Sequence, residues 1–400
     1  MTIWASSAGG AESPFYPYEI NQALMCNEFD GGTALNFSFG HPNGGNQQLR
    51  YRHAFSSWVK VADTASRNRY LLGNRHGTNQ VWRVGLNTSF QLLIHDYNSS
   101  YRTRLETTNL FRDVTNWFHM FYKYDSTQSI ESDRVRLWIN GDEITDFAVA
   151  TYPALNDPSL MFLASGFAQG DLGAGRYGDG SQYSWKGNLA ETHIIDGWDC
   201  TNFDLITVND FGFEKNGVWI PKKYKYRGRE GYGQYGGYYN YSNAGSLGQD
   251  FSGNGNNMTS TNITTDNQVN DSPTNNRCIL DAGDAYSETD GRVIYGGLGW
   301  EYTSTVWLSI RGTFKMSSGK WYYESRDIAD STYSMMGWGW AGDRIRAVQN
   351  YVGGTSFPYS CSIYCRGGYN YRFYANGTSF DSSISVSALN YLLATIDIDE

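Results

Sequence analysis

The stretch from Asn116 to Gly141, NWFHMFYKYDSTQSIESDRVRLWING, constrains this chain more than any other, because two runs of period-two alternation flank a polar connection. Alternation of that kind belongs to paired antiparallel strands, not to a helix. In the first run Phe118, Met120, Tyr122 and Tyr124 share one face, while Trp117, His119, Phe121 and Lys123 share the other. Both faces are heavily apolar, which suits a strand in the middle of a sheet covered on both sides. In the second run Val135, Leu137 and Ile139 oppose Arg134, Arg136 and Trp138, and the run stops at Asn140-Gly141. That dipeptide favours a tight type I′ hairpin.

The rest of the chain carries the same signature. Leu49 to Val61 alternates, and Tyr70 to Leu72, Val81 to Val84 and Phe90 to His95 are short strands divided by Gly, Asn and Thr. With 45 Gly, 31 Tyr, 13 Trp and only 18% charged residues in 400, many short strands joined by turns are expected in place of helices. The length suggests two domains of about 100–250 residues each. A net charge of −9 disfavours nucleic acid as a partner, since phosphate binding needs clustered Lys and Arg. The first residues lack a basic region followed by an apolar core, and no run is long enough to span a bilayer, so cytoplasmic synthesis without membrane insertion is expected. Five cysteines, Cys26, Cys200, Cys278, Cys361 and Cys365, argue against a disulfide scaffold and for free thiols.

The run Trp117 to Asp125, followed by Arg136 to Gly141, resembles the core strands of laminin-G-like domains of the concanavalin A-like jelly-roll class, with Phe118 where that class has a histidine. Phe55-Ser56-Ser57-Trp58-Val59-Lys60 resembles its early strand, and Gly187 to Gly197 its closing strand. Val218-Trp219-Ile220-Pro221 then ends the domain, because proline cannot continue a central strand. Further on, Ser318 to Glu324, Met336 to Ala341 and Ala394 to Asp399 resemble strands of SPRY domains, a pattern that breaks off at Glu400. The phrases Leu247 to Asn257 and Asp271 to Asn276 resemble the joint between these two domain types in structural proteins of tailed bacteriophages and marine viruses. The expected organisation is all-β: an N-terminal arm (1–30), a concanavalin A-like jelly roll (31–225), an ordered but irregular Gly/Tyr/Asn-rich connector (226–280) and a SPRY-like sandwich (281–400), incomplete at its C-terminus. An unfinished sheet edge invites another chain, so a homo-oligomer is expected.

No chemistry of catalysis is legible. The paired carboxylates of a glycosidase are missing, with Asp397, Asp399 and Glu400 the nearest approach, and no nucleophile elbow or phosphate cradle occurs. Glu191, His119 and His193 read as buried strand residues, Glu191 as an acid bonded to backbone amides. A sugar site needs aromatic faces beside amides or carboxylates. Tyr97, Tyr101, Arg176, Tyr177, Asp179, Tyr183 and Trp185 are the candidates, with Asp96 and Asn98 beside them. No cofactor is expected, calcium excepted, for which Asp142, Asp171 and Asp179 are candidate ligands with Glu143 and Asp146 near them.

What the resemblance implies is a non-enzymatic virion component, a tail-fibre or capsid-surface adhesin whose partners are other virion proteins and host cell-surface carbohydrate. The competing readings are a decoration or cement protein joining virion subunits, and a polysaccharide-degrading enzyme.

Overall fold

The computed structural model describes residues 15–26, 34–37, 50–62, 68–76, 79–161, 170–172, 174–176, 182–280, 291–294, 298–302, 310, 312–314, 318–326, 335–340, 361–366, 370–375, 378–385 and 391–397. They are almost all β, and among them no helix is long and apolar enough to cross a membrane. The chain divides into two compact units, one spanning residues 11–276 and the other residues 277–400 with the first ten.

The first unit is a jelly-roll sandwich of two antiparallel sheets. One runs Asp142–Ile144, Val135–Ile139, Phe118–Asp125, Arg52–Val61, Gly187–Asp196, Ala23–Cys26 and Gln268–Val269 in spatial order, with Gly237–Tyr239 also paired to Gly187–Asp196. The other runs Phe147–Thr151, Tyr101–Leu110, Gln91–Asn98, Gln80–Leu86, Arg69–His76, Gly170–Leu172, Ala34–Phe37 and Thr259–Thr261. The four strands singled out in the sequence therefore lie side by side in one sheet. Asn140 and Gly141 turn between the first two strands with φ of 49° and 88°, as a type I′ hairpin requires.

The alternation read from Phe118 to Asp125 is realised on both faces. Met120, Tyr122 and Tyr124 join Phe55, Val59, Trp82, Val84, Leu137 and Leu189 in the core between the sheets. Phe121 turns the other way, into a second core with Ala54, Ile195, Phe203, Ile206, Val208, Phe211, Tyr224 and Tyr232. This covering layer is irregular chain: two 3₁₀ turns, Phe203–Leu205 and Val208–Asp210, then the hairpin Gly212–Lys215 with Val218–Pro221, then the short helix Gly228–Tyr232. His119 stacks on Phe211 and Trp219 at 6.1 and 6.2 Å beneath it.

Two boundaries differ from those read in the sequence. Residues 15–26 are no free arm, since Ala23–Cys26 is hydrogen-bonded between Gly187–Asp196 and Gln268–Val269. Nor do residues 226–276 merely connect, because they supply strands to both sheets and belong to the first unit. The reason is electrostatic. Lys60 is wholly buried and needs an anion, which Asp271 provides at 3.1 Å. Asn188 Nδ2 and Trp117 Nε1 also donate to Asp271, at 2.7 and 3.3 Å, and Lys60 Nζ donates to Asn276 Oδ1 at 2.8 Å. The Gly-rich stretch after Gly166, read as loop, holds the short strands Gly170–Leu172 and Ala174–Arg176, the latter paired to Gln182–Ser184.

In the second unit the motif strands Lys320–Arg326 and Tyr391–Asp397 pair with each other. Met335–Trp340, Cys361–Arg366, Asn370–Ala375 and Thr378–Ser385 form a four-stranded meander. Cys26 and Cys200 are buried and Cys278 is half-buried, and none of the three is in a disulfide.

Among the described glycines Gly187 has the least room, since an added Cβ would stand 1.9 Å from the Lys60 carbonyl oxygen at a φ of +146°. Gly217, also at positive φ (+78°), has open space around it. Gly187→Ala is expected to cost about 2–4 kcal/mol in denaturant unfolding. Gly217→Ala should cost only the backbone penalty of about 1–2 kcal/mol.

Candidate functional site

The Gly187–Asp196 strand departs from regular pairing between Ala190 and His193, where two residues, Glu191 and Thr192, oppose the single Ser57. Glu191 takes up a φ of 47° there. Such a bulge inverts the side-chain alternation beyond it. Leu189 lies in the inter-sheet core, and in an unbroken strand Glu191, His193 and Ile195 would follow it inward. Instead Ile194 occupies that core, while Ile195 packs in the covering layer and His193 lies against Phe211 and Tyr224 of that layer.

Glu191 is 7% exposed, and its partners are phenols rather than the backbone amides expected from sequence. Tyr238 Oη donates to both carboxyl oxygens at 2.8 and 2.7 Å, and Tyr18 Oη donates to Oε2 at 2.8 Å. Burial outweighs these bonds and the nearby Lys223 ammonium, and raises the carboxyl from 4.5 to about 7. Burial also pushes His193 down to about 3, so its ring is neutral. That ring stacks on Tyr238 at 4.6 Å, and its Nδ1 lies 2.8 Å from Tyr232 Oη.

Tyr18, His193, Tyr232 and Tyr238, with Glu191 behind them, form the floor of a cleft of about 300 Å³, where the covering layer meets the strand Gly237–Tyr239. Its walls are Tyr18, His193, Tyr224, Tyr226, Tyr232, Tyr238, Asn240 and Phe251, with Lys223 and Arg227 at the exposed edge. Phe251, 37% exposed, stands on a loop fixed by Asp250. The Asp250 carboxylate accepts from the Tyr238 and Ser252 amides at 2.9 and 2.8 Å, and from the Asn256 amide and Ser252 hydroxyl at 2.9 Å each. Asn254 and Asn256 donate to the Gly236 carbonyl at 3.0 and 2.8 Å. The phrase Leu247 to Asn257 thus serves to hold one aromatic ring at a cleft.

The site candidates read from sequence are not the residues of this cleft. Tyr97 and Tyr101 do meet, edge to face at 5.1 Å, with Arg104 over the Tyr101 ring, on the Gln91–Asn98 and Tyr101–Leu110 hairpin. Asp96 beside them is buried and structural, accepting from the Leu160 amide at 2.7 Å and Arg102 at 2.8 Å. Trp185 is corrected: at 2% exposure it lies in the inter-sheet core and presents no face to a ligand. Tyr177 and Asp179 lie outside the described residues, as do the side chains of Arg176 and Tyr183. Of the calcium candidates, Asp142 and Asp171 sit on different sheets, Glu143 pairs with Arg136 and Asp146 accepts from Thr108. Among the described residues no three His, Cys, Asp or Glu gather as a metal site. The cleft itself had only faint signals: the dense tyrosines of 224–241 and a glutamate inside an apolar strand.

No protein-family model matches the chain, and no curated protein matches it. Among solved structures, it is similar to a heptameric SAP-like pentraxin from Limulus polyphemus at 11% identity and a TM-score of 0.27, over 47% of this chain and 73% of that one. It is similar to the CBM40 of an IT-sialidase from Ruminococcus gnavus, bound to α2,3-sialyllactose, at 12% identity and a TM-score of 0.31, over 45% and 93%. It is also similar to domain 4 of a GH43 extracellular arabinanase from Geobacillus stearothermophilus, in complex with arabinotriose, at 18% and 0.27, over 43% and 81%.

Two outcomes follow from the geometry. Trp185→Ala should lose about 3–5 kcal/mol of stability in equilibrium unfolding, as a large core truncation does. For Glu191, the folded state holds the carboxyl proton more tightly than the unfolded chain. Its contribution to stability is therefore fully present below about pH 4.5 and is lost as pH rises through about 7. Glu191→Gln keeps the phenol contacts without the titration, so thermal unfolding from about pH 5 to pH 8 should show the variant gaining on the native protein by on the order of 3 kcal/mol.

Proposed function

We propose that this chain is a non-enzymatic glycan-binding protein of a bacteriophage virion, a tail-fibre or capsid-surface adhesin, and that it takes sugar in the cleft beside Glu191. The observation that carries the glycan reading is the cleft itself. Sugar rings present apolar faces edged with hydroxyls, and they are held by aromatic side chains with a few polar groups among them. Tyr18, Tyr226, Tyr238 and Phe251 supply aromatic surface, and the phenols and Asn240 supply hydrogen bonding, with Glu191 behind Tyr18 and Tyr238 holding their hydroxyls in place. Binding is favoured over hydrolysis because no Asp or Glu lines the cleft among the described residues, whereas glycoside cleavage takes two carboxyl groups across the scissile bond.

The virion role and the SPRY-like character of the second unit are supported by the order of sequence motifs. Lys320–Arg326, Met335–Trp340 and Tyr391–Asp397, which carry the SPRY-like phrases, are strands. A shallow site gives modest affinity on its own. Copies displayed together on a particle raise avidity by about 10²–10⁴. A cement role, the alternative, calls for broad flat contact and not for a small aromatic cleft.

Phe251→Ala tests the site, since the ring is exposed at the cleft. Glycan-array binding and titration calorimetry should show affinity falling about three- to tenfold, the worth of one aromatic face, with the melting temperature unchanged. Unaltered binding on the array would remove the cleft from the proposal.

A further inference from the structure

Two of the cleft's side chains are cations that no hydrogen bond or ion pair among the described residues ties down, although the Lys223 ammonium lies near enough to Glu191 to act on its carboxyl. Lys223 and Arg227 are exposed at its edge, and neither has a side-chain hydrogen bond or ion pair among the described residues. Their neighbours along the same segment are all engaged. Lys222 Nζ donates to the Asn209 carbonyl at 2.9 Å, Lys225 pairs with Asp210 at 3.2 Å and Arg229 pairs with Asp199 at 2.5 Å. In a chain of net charge −9, two untethered cations beside one aromatic cleft are a local reversal of sign.

The anions near by do not cancel it. Asp250 is saturated by its own loop, with four hydrogen bonds to its carboxylate. Glu191 lies behind Tyr18 and Tyr238, its ionisation held back by burial, and its two oxygens already accept from their phenols. No other carboxylate of the described residues faces the cleft.

We infer that the cleft selects an acidic sugar, a hexuronic or sialic acid residue whose carboxylate is taken by Arg227 and Lys223 while its ring lies against the aromatic walls. The inference rests on the glycan reading of this cleft and narrows it. The chemistry of the two cations fits the task. A guanidinium forms two parallel hydrogen bonds to one carboxylate, which fixes orientation, and an ammonium adds a mobile point charge. A cleft of about 300 Å³ is at the small end of ligand sites and suits a terminal or single acidic residue better than a long chain.

The test pairs each acidic oligosaccharide with its own carboxyl-reduced, neutral counterpart. Oligogalacturonate, oligoalginate, hyaluronan fragments and sialyl oligosaccharides are printed on one array beside the reduced forms and beside common neutral glycans, and hits are measured by calorimetry on the full chain. An acidic ligand should bind at least tenfold more tightly than its reduced form, as expected for a charge-assisted pair. Its affinity should fall as salt rises from about 50 to about 500 mM. Lys223→Gln with Arg227→Gln should abolish the difference between acidic and reduced forms. Lys222→Gln removes a charge outside the cleft and should preserve it. Equal binding of acidic and reduced forms, or binding of neutral glycans alone, would overturn the inference and leave the glycan reading standing. Absence of binding across the whole array would overturn the glycan reading and the inference with it.

Discussion

The strand Phe118–Asp125 and its neighbours Arg52–Val61 and Gly187–Asp196 are buried on both faces, and that double burial governs the rest of the first unit. A sheet facing water on one side needs one partner layer, but here the outward face carries Ala54, Phe121 and Ile195, so a second layer must be built over it. Residues 198–232 form that layer without a long helix, using turns, a two-stranded hairpin and packed rings. Covering both faces also removes water from every polar group in the sheet. Lys60 would then be an isolated charge in a dry interior, and the chain must return with Asp271 and Asn276 around it, Asp271 being held in turn by the Asn188 side-chain amide. The extent of the unit, out to residue 276, follows from that one ammonium group.

A covering layer that ends over a sheet leaves a step, and the cleft is that step. The bulge at Glu191 and Thr192 lies at the same place. By inverting the alternation it sends His193 up against the layer's rings and lets Glu191 reach the two phenols. A carboxyl group there is costly to bury, and the backbone at φ 47° is costly for a residue other than glycine. Both costs fall at the edge of a cleft, where strain and buried polar groups commonly serve a ligand.

Period-two alternation made the four central strands legible in sequence, along with the type I′ turn and the two-sided packing of Phe121 and Tyr122. It failed where the chain breaks that period. Glu191 read as an ordinary strand acid because nothing in Leu189-Ala190-Glu191-Thr192-His193 announces an extra residue, and the bulge is set by pairing to Ser57 across the sheet. Tyr101–Leu110 escaped notice because its buried residues are mostly polar: Thr103 and Thr107 flank the core residue Leu105, and Glu106 is buried on the other face. Glu106 there is held by His95 and Arg104 at 3.0 and 2.8 Å. Trp185 misled for the opposite reason. Its Gly- and Asp-rich neighbourhood looked like surface, whereas the chain dives into the core immediately before Gly187. The cleft gathers Tyr18, His193, Tyr238 and Phe251 from four separate segments, a conjunction that spacing cannot reveal.

Charge explains how such a protein would discriminate among ligands. With a net −9 the whole molecule repels a polyanion at long range, so steering cannot deliver an acidic glycan to it. At physiological salt, however, fields between exposed charges fade over about 8 Å. A ligand already in the cleft therefore feels Lys223 and Arg227 and little of the distant acids. Under the proposed acidic-sugar specificity, selection would occur at contact and show mainly as slow release, not fast capture. For the proposed adhesin slow capture would matter little, because on a particle held against a surface the sugar would be always within reach and the number of engaged copies would set the residence time.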